Sequence, residues 1–392
     1  MANIIDYMKW RGDLRFSQAG LNAVDSLILS CLSYVGFDGI VSGDKYAAPV
    51  PLYEAAQKYF ALNPEVRRMR APEDENLLRA ASICPRFQDI LLTRYVNRID
   101  DEAQTQFSAV TLLLGDGTAF ISYRGTDNTL VGWKEDFNMS FLTPVPAQQR
   151  AAEYLTQADL TQKLYLGGHS KGGNLAVFAA AFTDKAIQDR IIAVYNHDGP
   201  GFDARVLSSD GYSAVRDRIQ TFVPQSSVVG MLLEHEEHYT VVHSTQKGLM
   251  QHDPYSWETL GTDFVRLDTI SNGSRFIDQS LKTWVAQMDV SQREQFFDTL
   301  YHVLKATKAE RVTELSEGWL KNAVVILRSF QNIDEQSRQH VFQMLSLLLA
   351  AAKDNFSIML PPIPAPPAIQ QHSKKNNRRT SSKKQKRAQL DK

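Results

Sequence analysis

Gly168-His169-Ser170-Lys171-Gly172 sets a serine between two glycines at the spacing of a nucleophile elbow, a device that presents a hydroxyl for attack on a carbonyl. The bare pattern is weak evidence, and its flanks strengthen it. Leu164-Tyr165-Leu166 ahead of it reads as a strand, while Leu175, Phe178, Ala179 and Phe182 behind it fall at helical spacing. A strand, a sharp turn and a helix strain the serine backbone, so Gly168 and Gly172 leave room where a side chain would collide with a neighbouring strand or helix. Gly167 and Gly173 read as two more glycines to spare. The helix beginning at Lys171 aims its first N–H groups and the positive end of its dipole at the serine oxygen. The competing reading is a Gly-rich turn with Ser170 as a helix cap.

A serine of this kind works with an acid and a histidine, in the chain order serine, acid, histidine. His252, in QHDPYSW, follows the last strand and a loop containing Gly248, where the general base belongs; capping a turn before Pro254 is its bland alternative. His243 lies inside strand-like YTVVHST, and His235 and His238 sit among Glu234, Glu236 and Glu237, which reads as a solvated charged turn. His302 and His340 fall in helical segments and His372 in the tail. For the acid, Asp198 ends the strand IIAVYNHD and is followed by Gly199-Pro200-Gly201, a tight turn that holds a carboxylate at the C-terminal edge of a sheet. Glu234 is the alternative acid, a plain turn role for Asp198 is the rival reading, and Asp253 is disfavoured because adjacent residues rarely face one another.

The elements that must carry these residues are legible in the periodicities. Residues 21 to 36 and 52 to 61 read as helices, so segment 1–85 is mainly helical cover. QDILLTRYV, FSAVTLLL and TAFISYRG then read as strands, the last two forming a hairpin around Gly115-Asp116-Gly117. From there strands alternate with helices: KLYLGG, a helix over 171 to 182, IIAVYNHDG, a polar helical stretch near 204 to 217, RIQTFVP and HYTVVHS. That alternation predicts a mostly parallel sheet with helices on both faces as a core over 86–262. Helical patterns return in 291 to 307, 319 to 330 and 335 to 353, so 263–360 packs on the core or forms a cap, and a lid over the site would come from there.

Composition is that of an ordinary globular chain, with 43% hydrophobic, 22% charged and 10% aromatic residues among 392. Cys31 and Cys84 stand alone rather than in a spaced framework, the N-terminus lacks an uninterrupted apolar stretch, and no run of about 18 apolar residues occurs. A cytoplasmic location is the expectation. Metal-ligand spacings and phosphate-cradling glycine motifs are absent from the sequence, and acyl transfer by a serine requires no cofactor. Segment 361–392 begins with PPIPAPPAIQQ, which cannot hold a helix, and ends with nine Lys or Arg against Asp391 between 374 and 392. It reads as a disordered tail, solvating by default. Its charge suits weak contact with an anionic membrane, and its lack of aromatic residues argues against specific nucleic-acid recognition.

Taken together, several strings carry a family resemblance. Tyr123-Arg124-Gly125-Thr126, then Trp133 with Asp136, then GHSKGGNLA resemble class 3 (fungal-type) lipases. The fuller set ISYRGTD, GWKEDFN, GHSKGGNLAVFAA, YNHDGPGF, VPQSSVVGMLL and QHDPYSW resembles, over roughly residues 1 to 260, a bacterial family of unknown function grouped with lipase-like α/β-hydrolases. The resemblance implies an α/β-hydrolase fold and an oxyanion hole built from the backbone N–H groups of Thr126 and Lys171. Lys171 departs from the leucine of the lipases, and a cation beside the nucleophile suggests anionic or polar-headed substrates. Those lipases also place their acid after the strand that here reads RIQTFVPQSSVV, where this chain has Ser226 and Ser227. Pancreatic-type lipases carry it one strand earlier, as Asp198 does here. The expected activity is hydrolysis of a small-molecule or lipid ester through a Ser170–Asp198–His252 triad and an acyl-enzyme. The alternative is an inactive fold of this kind serving as a binding module, with the basic tail attaching to anionic membrane or nucleic acid.

Overall fold

A computed structural model describes residues 2–100, 105–126, 139, 144–158, 161–306, 325, 328–330 and 332–359. Most of the helix expected over 319–330, together with Trp133, Asp136 and the tail 361–392, lies outside these residues. The principal elements in chain order are α1 (Ile4–Arg11), α2 (Ala23–Leu32), β1 (Val50–Pro51), α3 (Leu52–Ala61), α4 (Pro72–Ser82), β2 (Leu91–Asp100), β3 (Thr105–Leu113) and β4 (Thr118–Tyr123). There follow α5 (Pro146–Thr156), β5 (Lys163–His169), α6 (Lys171–Ala181), β6 (Ile191–His197), β7 (Ile219–Pro224), β8 (Tyr239–Val242), β9 (Thr259–Leu260), β10 (Asp263–Phe264), β11 (Arg266–Leu267), α7 (Asn272–Ala286), α8 (Val290–Lys305) and α9 (Glu335–Asn355).

Among the described residues one sheet has nine strands in the order β1-β2-β3-β4-β5-β6-β7-β8-β11. β4 through β8 pair in parallel, β2 points the same way, and β1, β3 and β11 run against them. This is the mostly parallel α/β sheet expected of an α/β-hydrolase fold. The β3–β4 hairpin closes through Gly115 and Gly117, both at positive φ (80° and 86°), where a side chain would be strained. The short edge strands β1 and β11 come from outside residues 86–262.

The strand order explains the cover. Because β4 to β8 add side by side in sequence order, right-handed crossovers put every connecting helix on one face. There α5, α6 and the short helices before β7 pack on Ile121, Leu164, Leu166 and Val194. The opposite face, alternate residues of the same strands, needs a different lid against water. α1 to α4 supply it, burying Leu27, Ile28, Leu52, Tyr59 and Leu78 in one cluster with Leu112, Phe120, Tyr195 and Phe222. The helical N-terminal segment is thus half of the core.

The last three helices bury a cluster of their own around Trp284, Met288, Phe296, Phe297 and Met344. α7 is tied to the loop after β7: Ser271 N–H donates to the Gln225 carbonyl at 2.6 Å, and the Ser274 hydroxyl donates to the Ser227 carbonyl.

Candidate active site

β5 and β6 end in register, with His169 opposite His197, so Ser170 and Asp198 emerge from neighbouring strands at the same edge. Both leave at positive φ, 59° for Ser170 and 55° for Asp198, in a region that costs a non-glycine residue roughly 1–3 kcal/mol. The fold holds them there. Ser170 N–H donates to the His197 carbonyl at 2.9 Å and Asp198 N–H to the Phe222 carbonyl at 2.8 Å.

The glycines around Ser170 have physical necessity. A Cβ on Gly168 would lie 2.2 Å from Gly172 backbone, and one on Gly172 would lie 2.1 Å from the Tyr123 carbonyl oxygen, so α6 crosses β4 and β5 at backbone contact. Gly173 and Gly167 are not spare: their Cβ atoms would meet Asn196 Oδ1 at 2.1 Å and Phe120 Cζ at 2.6 Å. Gly125, of the RGT string, lies against the elbow, its absent Cβ 2.5 Å from the His169 carbonyl and 3.2 Å from Ser170 Cβ. Thr126 follows directly.

His252 Nδ1 lies 2.6 Å from Asp198 Oδ2; the aspartate is fully buried and the histidine partly open to solvent. A carboxylate at that nitrogen keeps the proton on Nδ1 and the lone pair on Nε2. His252 is placed beside the elbow by its backbone: His169 Nε2 lies 2.8 Å from the His252 carbonyl, and the two rings sit 4.6 Å apart. His169 is itself buried, which with the nearby His252 and Arg70 charges holds its pKa well below the ordinary value. Neutral, it donates from Nε2 to His252 and accepts at Nδ1 from the Tyr34 hydroxyl, 2.9 Å away. Gln251 anchors the same loop, accepting from Ser226 N–H at 2.7 Å while its carbonyl receives the Trp257 indole N–H at 2.9 Å. Among the described residues no hydrogen bond joins the Ser170 hydroxyl to His252.

The structure brings Ser170, Asp198 and His252 to one edge and leaves the other candidates elsewhere. Glu234 has an exposed carboxylate 3.3 Å from Lys282. Asp253 receives the Tyr255 N–H and stands 4.0 Å from Arg70. Lys171 departs from the expected cation open to substrate: its side chain is buried, with Nζ donating to the Gln106 carbonyl on β3 at 3.2 Å. His235 and Glu237 correct another, being buried rather than solvated, as the Tyr212 hydroxyl and Thr221 hydroxyl both donate to Glu237. Two positioning residues were missed. Ser227, noticed only as the absence of an Asp, donates its hydroxyl to Asp198 Oδ1, and Tyr34 orients His169 from α2's C-terminal turn. A hydroxyl in the loop beside an acid-bearing strand end was the available signal for Ser227; Tyr34, 135 positions from His169, gave none.

Among the described residues no group of three or more His, Cys, Asp or Glu is placed to hold a metal ion, and no helix is long and apolar enough to cross a membrane. Cys31 and Cys84 are buried free thiols. A family model described as Mbeg1-like matches residues 81–302, more than half of the chain. No curated protein matches. The chain belongs to the Mbeg1-like family, a lipase-like family of hydrolases.

Proposed function

From that membership and this geometry, we propose that the protein is a serine hydrolase of carboxylic esters. The observation that carries the reading is the His252 Nδ1–Asp198 Oδ2 contact of 2.6 Å beside a serine strained at φ 59°. Ser170 Oγ attacks the ester carbonyl as His252 Nε2 takes its proton. The tetrahedral oxyanion is held by the backbone N–H groups of Lys171 and Thr126, and the alcohol leaves with the proton from His252. Water, deprotonated by His252, then attacks the acyl-Ser170 ester and releases the acid. Asp198 stabilises the imidazolium in both halves. The positive end of α6 supports the oxyanion.

The test is a fluorophosphonate probe with p-nitrophenyl esters of several chain lengths, on the full chain and on Ser170→Ala. Wild type is expected to label and turn over. The variant is expected to lose labelling and at least about 10³-fold of hydrolysis. Labelling that persists in the variant, or none in wild type, rejects the nucleophile.

A further inference from the structure

His235 belongs to no part of the triad, yet both of its ring nitrogens are engaged. Its side chain is 5% exposed, with Nδ1 2.9 Å from Glu237 Oε1 and Nε2 2.7 Å from the Gly230 carbonyl oxygen. Both partners are acceptors, whereas a neutral imidazole has one N–H to give. The two contacts are satisfied together only if the pair holds an additional proton. Glu237 is held as the anion by two hydroxyl donors, Tyr212 to Oε2 at 2.6 Å and Thr221 to Oε1 at 2.7 Å. The proton therefore sits on the ring, and Nε2–H grips the Gly230 carbonyl.

Gly230 leads directly to the acid. Its N–H donates to Ser227 Oγ at 3.1 Å, and Ser227 donates to Asp198 Oδ1. A Cβ on Gly230 would lie 2.2 Å from that same carboxylate oxygen, so this turn is the wall of the Asp198 pocket. We propose that His235, held as an imidazolium between Glu237 and the Gly230 carbonyl, is a positioning residue that presses the Ser227–Gly230 turn onto the triad acid Asp198. The assignment rests on the triad reading above. The groups that face the ring are Glu237 on its own segment, Tyr212 across from it through Glu237, and Asp278 of α7, which feels the His235 charge and pairs with Lys282 next to Glu234.

A neutral ring keeps only one N–H. The bond to the Glu237 carboxylate is the stronger claim on it, so Nε2 of a neutral ring would meet the Gly230 oxygen lone pair to lone pair and the turn would loosen. Glu237→Gln removes the requirement for the additional proton: the amide N–H donates to Nδ1, and Nε2–H of a neutral ring stays on Gly230.

The experiment records kcat and KM on p-nitrophenyl acetate for wild type, Glu237→Gln and His235→Ala. In parallel, proton NMR follows the downfield His252 Nδ1–H resonance. The expected result is that Glu237→Gln, which keeps Nε2–H on the Gly230 carbonyl, retains kcat and the resonance near wild type. His235→Ala is expected to lower kcat by about tenfold to hundredfold at unchanged KM, the scale of a small misplacement of catalytic groups, and to weaken the resonance. A loss of kcat in Glu237→Gln as large as that in His235→Ala, or a full kcat and resonance in His235→Ala, overturns it. A wild type that neither hydrolyses nor labels rejects the triad instead, while the resonance still reports whether His235 holds Asp198 against His252.

Discussion

His252–Asp198 and His235–Glu237 are both histidine–carboxylate pairs, at 2.6 and 2.9 Å. They differ in the second ring nitrogen. His252 is partly exposed, and its Nε2 has no partner among the described residues, whereas His235 Nε2 is bound to the Gly230 carbonyl. A ring with one nitrogen held and one available can carry a proton to and fro; a ring held at both ends is a strut. In the proposed reading the same side-chain chemistry serves proton transfer in one loop and positioning in the other, and only the contact at the second ring nitrogen distinguishes them.

The comparison is broken most directly at the acids. Asp198→Asn is expected to lower kcat by about 10⁴, as loss of the carboxylate favours the wrong tautomer, with labelling by the probe falling in step. Glu234→Gln, which disturbs only an exposed pair with Lys282, is expected to stay near wild type in the same assay. If the two variants exchange these behaviours, Glu234 is the acid. A smaller effect is expected from Ser227→Ala: one donor is lost to a buried carboxylate, so kcat falls by about tenfold. The denaturation midpoint should drop by an amount equivalent to about 1–3 kcal/mol in urea. An unchanged kcat would detach Ser227 from the positioning of Asp198.

The smallest effect concerns a third histidine, which neither transfers a proton nor clamps. His197 is fully buried, and burial lowers its pKa to about 3 from 6.5, with Nε2 2.9 Å from the Ser26 hydroxyl. The unfolded chain therefore binds a proton below about pH 6.5 that the folded chain refuses, so stability from this group is present above that pH and is lost progressively toward pH 3. Urea melts should show a slope over this window that becomes shallower in His197→Asn; an identical slope would assign the acid sensitivity to other groups.

Local signals in the sequence were sufficient for the elements and for one member of the site. The periodicity around Ser170, the Gly115–Gly117 hairpin and the strand ending at Asp198 are encoded within a few residues of themselves, because backbone conformation and amphipathic spacing are short-range. The fold class followed from the same signals. The choice of Asp198 over Glu234 stayed open in sequence, since each is followed or flanked by turn residues, and the contact with His252 spans 54 positions. His235 and Glu237 read as solvent-facing because a run of charges usually is; burial became acceptable only through hydroxyls from Tyr212 and Thr221, which arrive from separate elements.

The sequence by itself thus determined where the strained turn lies, that Gly168 and Gly172 must flank it, and that strands and helices alternate into a mostly parallel sheet. Tertiary structure decided which carboxylate meets which imidazole, that Lys171 turns its charge inward to β3, and that Ser227 stands beside Asp198 where an acid was looked for. The division has one physical cause. Backbone strain and hydrophobic period are properties of neighbours in the chain, whereas the protonation and direction of a buried side chain depend on partners that only the packed sheet brings within about 3 Å.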